Sequence, residues 1–204
     1  DLTIVNKDLT LKALGTTPAQ LGNLEVNGSV VNLIKIGADT LRANDLPGDA
    51  SKIIAIQASY GHIETNATEF HVAYSDVKYL VFRGKGTVTA CEFDGNLQGG
   101  IAVDVHGAGT RLVIRNNLIH DYLLYVNTPT TITEQCIGVR VRDGAKADVL
   151  NNVINSLTFI GSSSTDSGMG VFVKEGSRAT ILGNYFDSIY AYSPTRGNRL
   201  VYAP

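Results

Sequence analysis

The feature that most constrains this chain is a short motif that it repeats. Ile114-Arg115-Asn116-Asn117-Leu118-Ile119-His120-Asp121 recurs as Val149-Leu150-Asn151-Asn152-Val153-Ile154-Asn155-Ser156. It recurs again as Ile181-Leu182-Gly183-Asn184-Tyr185-Phe186-Asp187-Ser188, and a worn copy, Val88-Thr89-Ala90-Cys91-Glu92-Phe93-Asp94-Gly95, precedes them. Each full copy follows an alternating segment: Ile101 to Gly107, Ile137 to Arg142 and Met169 to Lys174. A glycine turn joins the two parts, at Gly107-Ala108-Gly109, Gly144-Ala145 and Gly176-Ser177. A constant corner at uneven intervals (Asn117, Asn152, Asn184) fits a chain wound in stacked coils. Each coil reads strand, tight turn, strand, Asn corner, short strand, variable loop.

Alternation of period two places Val103, Val105, Val139, Val141, Val171 and Val173 on one face, as an interior ladder. Ile119, Ile154 and Phe186 form a second ladder. Asn117, Asn152 and Asn184 form a third, because asparagine tolerates left-handed backbone angles and its amide stacks repetitively. Cys91 takes the Asn place in the worn copy, so the Asn ladder stops there. An antiparallel sandwich also has regularly spaced strands, but does not need one corner residue at the same place in each repeat.

The first half is less regular. Leu2-Thr3-Ile4, Leu9-Thr10-Leu11, Leu24-Glu25-Val26, Ile34-Lys35-Ile36, Ile53 to Ile56, Gly61 to Glu64 and Tyr79 to Phe82 read as strands. Thr16 to Gly22 and Asp39 to Ser51 read as loops or a short helical turn, the second capped by Asp45 or Asp49. With no linker and no shift in composition, residues 1–204 form one all-β domain, a mature or excised segment of a longer protein.

The pattern of aliphatic residue, Asn-Asn and aliphatic residue after a glycine turn resembles the right-handed parallel β-helix superfamily. That superfamily includes pectate-lyase-like proteins, polysaccharide lyases, pectin-degrading glycoside hydrolases and phage tailspikes. The resemblance covers Tyr79 to Ile189 well and the rest loosely. It implies a right-handed solenoid with irregular coils, and a secreted or cell-surface location. Neither the paired Asp motifs of the pectin hydrolases nor the Arg signature of the best-known pectate lyases is present.

A formal net charge of -2 gives no global field for nucleic acid, and no apolar run is long enough for a membrane span. Two cysteines, Cys91 and Cys136, are too few for a disulfide framework, and their pairing stays open. Local charge is another matter. Aligning the coils gives one outward row of Val81, Asp104, Arg140 and Phe172, and a second of Arg83, His106, Arg142 and Lys174. The following turns add Lys85, Lys146 and Arg178. Together these make a basic strip suited to an anionic chain such as a polyuronate.

Uronate lyase chemistry needs a cation on the carboxylate, a base for the neighbouring proton and an acid for the leaving oxygen. Arg140 or Arg142 would neutralise, His106 or Lys174 would be the base, and Asp104 would orient a neighbour or bind a metal. The competing reading is a solvated face on which Asp104 and Arg140 pair across coils. Asp121 beside His120, and Asp143 beside Glu175 in the turn row, are the nearer pairs, but no cluster is dense enough to assign Ca2+, and no cofactor is assigned. The variable loops carry Tyr122, Tyr125, Phe159, Tyr190 and Tyr192, which either stack on sugar rings or pack the loops onto the body. The sequence therefore points to a β-helix that binds a polysaccharide and leaves cleavage open, by a lyase or a glycoside hydrolase. The alternative is a non-catalytic structural or adhesive module of a surface protein or phage fibre.

Overall fold

The computed structural model describes residues 1–125, 135–160, 167–193 and 197–200. Within these residues the chain is all-β with no helix, and its strands form two sheets of 14 and eight strands. Every pairing is parallel except that of Gly197–Leu200 with Tyr185–Ser193, which is antiparallel, and an isolated bridge at Leu46 and Asp49. The chain alternates between the sheets, an arrangement compatible with a parallel β-helix.

The small sheet is the regular one. Its strands are Asp8–Lys12, Val30–Ile34, Lys52–Ile56, Glu69–Ala73, Lys85–Thr89, Arg111–Arg115, Lys146–Leu150 and Arg178–Leu182, all five residues long. Their first residues are direct register partners, although they lie 22, 22, 17, 16, 26, 35 and 32 residues apart along the chain. The second and fourth residues of the strands point inward, except in the last, Arg178–Leu182, where Ile181 is exposed. They give one row through Val31, Ile53, Phe70, Gly86, Leu112 and Ala147, and another through Leu33, Ala55, Val72, Val88, Ile114 and Val149. Gly86 breaks the first row because a Cβ there would collide with the Phe70 carbonyl oxygen. The Phe70 and Phe82 rings, edge to face at 6.5 Å, fill the space beside it.

The large sheet carries the uneven coils. Gly100–His106, Gln135–Arg142 and Ser167–Val173 pair side by side, with Val103 opposite Val139 and Val139 opposite Val171. Val103, Val105, Val139 and Val141 are fully buried, and Val171 nearly so. Val173, in the last of these strands, is exposed. Ile119 and Ile154 are buried register partners, and Phe186, opposite Ile154, is half-buried. Burial of these aliphatic rows is the main stabilising contribution, about 1.5–3 kcal/mol per large side chain.

The corner between the small-sheet strand and the next large-sheet strand divides its labour between two residues. The first has a left-handed backbone: Lys35, Gln57, Tyr74, Ala90, Asn116, Asn151 and Gly183, with φ between 51° and 67°. The second points inward: Ile36, Ala58, Ser75, Cys91, Asn117 and Asn152 are all buried. In the Asn-Asn pairs, then, the left-handed angle belongs to Asn116 and Asn151, not to Asn117 and Asn152. The Asn152 Oδ1 accepts from the Asn117 backbone N–H at 3.0 Å and from its Nδ2 at 2.9 Å. The Asn184 Oδ1 accepts the same two bonds from Asn152, at 2.8 and 2.9 Å. Asn117 passes one bond further, from the Cys91 N–H to its Oδ1 at 2.9 Å. Ser75 plays the same part for the Ala58 N–H, at 3.2 Å.

Three expectations for the first half are corrected. Ile34-Lys35-Ile36 is not a strand but a corner, since Lys35 has a φ of 56°. Residues 19–22 and 39–44 are not loop or helix, because Ala19–Asn27 and Ile36–Asn44 run on as long paired strands. Asp45 does anchor the turn that follows, but across coils rather than at a helix end. It accepts from the Ser51 N–H at 2.6 Å, the Thr68 N–H at 2.9 Å and the Thr68 hydroxyl at 2.6 Å. Both cysteines are buried and free, and burial pushes each thiol up to about 11.

Candidate functional site

The first outward row and the middle of the second fall where strand alignment places them, while Arg83 and Lys174 lie one residue beyond their strands. Asp104 lies opposite Val81 on one side and Arg140 on the other, and Arg140 lies opposite Phe172. His106 lies opposite Arg142. What the alignment does not reveal is how completely these groups satisfy one another.

Asp104 is 4% exposed and takes two guanidinium forks. Arg140 donates Nε and Nη2 to its two oxygens at 2.9 and 2.8 Å. Arg142 donates Nη2 at 2.9 Å and Nε at 3.2 Å, and reaches Asp143 with Nη1 at 2.5 Å. Burial alone would push the Asp104 carboxyl up, but the hydrogen bonds and charges of Arg140 and Arg142 hold it below the usual carboxylate range. The Arg142 guanidinium is raised, first by its bonds to Asp104.

His106 is 8% exposed, and its Nδ1 accepts from Arg83 Nε at 3.1 Å. A guanidinium can only donate, so the imidazole is neutral with its proton on Nε2. Burial, then the charges of Arg83 and Arg142, hold its pKa below the ordinary histidine value. Lys174 binds Glu175 at 2.7 Å. Asp104, Arg140, Arg142 and His106 thus stand in one neighbourhood, with their charges and lone pairs turned toward each other or toward Arg83 and Asp143, while Lys174 is paired with Glu175. A base needs an open lone pair, and the Nδ1 lone pair of His106 is taken.

The aromatic residues separate. Tyr122 and Phe159 are buried and cannot stack on a sugar, which corrects their assignment as loop aromatics. The reason is a second row of left-handed residues, Asp121, Ser156 and Ser188, which bend the chain and return it to the sheet. Tyr122, Leu157 and Ile189 follow that bend as inward register partners. The Tyr122 hydroxyl donates to the Lys78 carbonyl, and its ring meets Tyr79 edge to face at 6.0 Å. Tyr190 is exposed. The side chains of Tyr125 and Tyr192 lie outside the described residues.

A second cationic feature lies on the small sheet. Lys85, Arg111, Lys146 and Arg178 occupy one outward row on four successive strands, all exposed. Neighbouring strands stand about 4.8 Å apart, which sets the spacing of the row. None of the four makes an ion pair among the described residues. A shallow depression of about 340 Å³ follows them, lined by Arg111, Lys146, Arg178, Asp148 and Thr180. A second, of about 400 Å³, is lined by Lys85, Arg111, His71 and Glu69. The row ends at Glu69, which is paired with Lys52 at 2.9 Å and with His71 at 2.8 Å. Reading Lys85, Lys146 and Arg178 as turn residues misses Arg111. The available signal was position: each of the four stands three residues before the first aliphatic of a motif copy, at Val88, Ile114, Val149 and Ile181.

A third group of polar residues sits on the outer face of the large sheet. His120 lies between Glu92 Oε1 and Asp121 Oδ2, each 2.9 Å from a ring nitrogen. Burial lowers its pKa, but the bonds to Asp121 and Glu92 outweigh that and raise it. Asp94 is the register partner of His120. No helix among the described residues is long and apolar enough to cross a membrane. Comparison with known proteins gives no match: no family model, no curated protein and no solved structure aligns with the chain.

Proposed function

We propose that the chain is a right-handed parallel β-helix, with the corner asparagines as its internal ladder, that binds an acidic polysaccharide along the small sheet. The location that suits this role is the cell exterior. The observation that carries the reading is the row Lys85, Arg111, Lys146 and Arg178: exposed, unpaired among the described residues and evenly spaced. Its spacing of about 4.8 Å is comparable to the rise of one sugar unit in an extended glycan. A uronate chain lying parallel to the coil axis carries one carboxylate per sugar unit, and arginine takes a carboxylate in bidentate fashion. Each such exposed pair contributes about 0.2–1 kcal/mol, so useful affinity comes from several cations acting together.

Binding without cleavage is the form of this function that the geometry supports. The groups suited to β-elimination are engaged with one another around Asp104 and His106. Retention on polygalacturonate gels, against a neutral glucan, tests the reading, with ultraviolet absorbance followed for unsaturated products. Retention that disappears in the variant Lys85→Ala, Arg111→Ala, Lys146→Ala, Arg178→Ala is expected, with no new absorbance. Retention unchanged in that variant would remove the row from the function. New absorbance that depends on His106 or Arg142 would restore the lyase reading.

A further inference from the structure

We propose that Asp94, His120 and Asp121 bind one divalent transition cation, for which Zn2+ is the representative ion. The three residues come together through two features of the fold. Asp94 and His120 are register partners on adjacent coils, so pairing of Glu92–Asp94 with Leu118–His120 brings their side chains alongside each other. Asp121 has a left-handed backbone, φ 57°, at the bend described above, and its carboxylate comes back to the His120 ring. The ligating atoms of the three residues lie within 4.8 Å of one another. Small side-chain rotations bring such a set to the roughly 2.0–2.2 Å bond lengths of zinc.

The His120 ring supplies a separate argument. Its Nε2 faces Glu92 Oε1 at 2.9 Å, across a coil boundary. A metal-bound imidazole characteristically donates its second N–H to a carboxylate in this way, which fixes the tautomer and aims the other lone pair. In the neutral tautomer that carries its proton on Nε2, toward Glu92, the Nδ1 lone pair stands 2.9 Å from an Asp121 oxygen. Two lone pairs at that distance are reconciled by a positive centre, which is a proton in the free protein and a metal ion when one binds. A proton would make His120 a doubly paired imidazolium, while a metal would take Nδ1, Asp121 and Asp94 together.

The donor set decides the class of ion. One imidazole nitrogen with two carboxylates favours zinc and its transition neighbours over calcium and magnesium, which prefer all-oxygen shells. Three protein ligands leave a position for water, and the site lies on the outer face with Asp94 exposed. The small-sheet cation row uses none of these residues, so this inference is independent of the proposed function.

Isothermal titration of the purified, chelator-treated chain with Zn2+ is the test, repeated with Co2+ to read the visible absorption of a bound ion. One equivalent is expected to bind, with the cobalt band present. His120→Ala and the pair Asp94→Asn, Asp121→Asn should each abolish both signals while circular dichroism stays that of the parent. Glu92→Gln keeps the three ligands and should weaken binding by about 10- to 100-fold. No stoichiometric binding, or binding unchanged in His120→Ala, would overturn the site and leave His120 as the paired imidazolium.

Discussion

Two faces of this molecule carry positive charge and use it in opposite ways. On the large sheet, Arg140 and Arg142 close on Asp104, and Arg83, itself exposed, donates its Nε to His106. On the small sheet, Lys85, Arg111, Lys146 and Arg178 stand in the open with no carboxylate paired to them among the described residues. The difference comes from what lies opposite in register. Asp104 faces Arg140 directly and Arg142 diagonally, whereas Arg111, Lys146 and Arg178 face only cations in register, and Lys85 faces Arg111 on one side and Glu69 on the other. The first arrangement contributes to stability. The second is a standing like-charge repulsion, modest in water, that an anionic ligand relieves.

The sharpest way to break this contrast is Asp104→Ala. It leaves two guanidinium groups facing each other in a mostly buried place, and should cost about 3 kcal/mol in chemical denaturation. Polyuronate retention should be untouched if the protein is assayed well below its transition. A loss of retention without a loss of stability would assign ligand binding to the wrong face.

Asn152→Ala serves as a structural benchmark with no charge involved. The substitution orphans the Asn117 N–H, whose partner is the Asn152 Oδ1, and removes the amide's bond to the Ile114 carbonyl, both in the interior. A loss of about 2 kcal/mol is expected from unsatisfied buried groups. A loss below roughly 0.5 kcal/mol would mean that water takes over the corner bonds.

Acid should separate the faces as well. His106 and Asp104 both have pKa values depressed by folding, so each contributes stability that is present above its unfolded value and lost as pH falls through its folded one. Thermal unfolding should therefore weaken first below about pH 6.5, from His106, and again below about pH 4, from Asp104. His106→Gln should remove the first step and keep the second. The smallest expected effect is Lys146→Ala: stability within about 0.5 kcal/mol of the parent, and polyuronate affinity down by roughly two- to threefold, a gap that closes at high salt.

The second half of the fold was legible in the sequence because three coils repeat one corner chemistry, at Asn117, Asn152 and Asn184. The first half was not, although its corners have the same backbone. There the left-handed place falls to Lys35, Gln57 and Tyr74, and the inward place to Ile36, Ala58 and Ser75, with no residue in common. Backbone geometry was kept and its side-chain signature was not. The candidate strip was legible as rows but not as contacts, since alignment gives neighbours and not the direction of a guanidinium. Tyr122 and Phe159 were misread because the bend at Asp121 and Ser156 uses no glycine or proline, so strand passed for loop.

The equal strands of the small sheet also bear on how the chain reaches this state. A coil of 35 residues and one of 16 end on the same edge, and closing the longer costs only about 0.7 kcal/mol more in loop entropy. Insertions at the loop corner are therefore nearly free in equilibrium terms, yet they lengthen the search for each contact. Folding is expected to start where closure is shortest, around Lys52–Ile56, Glu69–Ala73 and Lys85–Thr89, and to spread by each finished coil offering its open edge to the next. Growth of that kind lets later coils lengthen or shorten one at a time, because each needs to match only the strand before it.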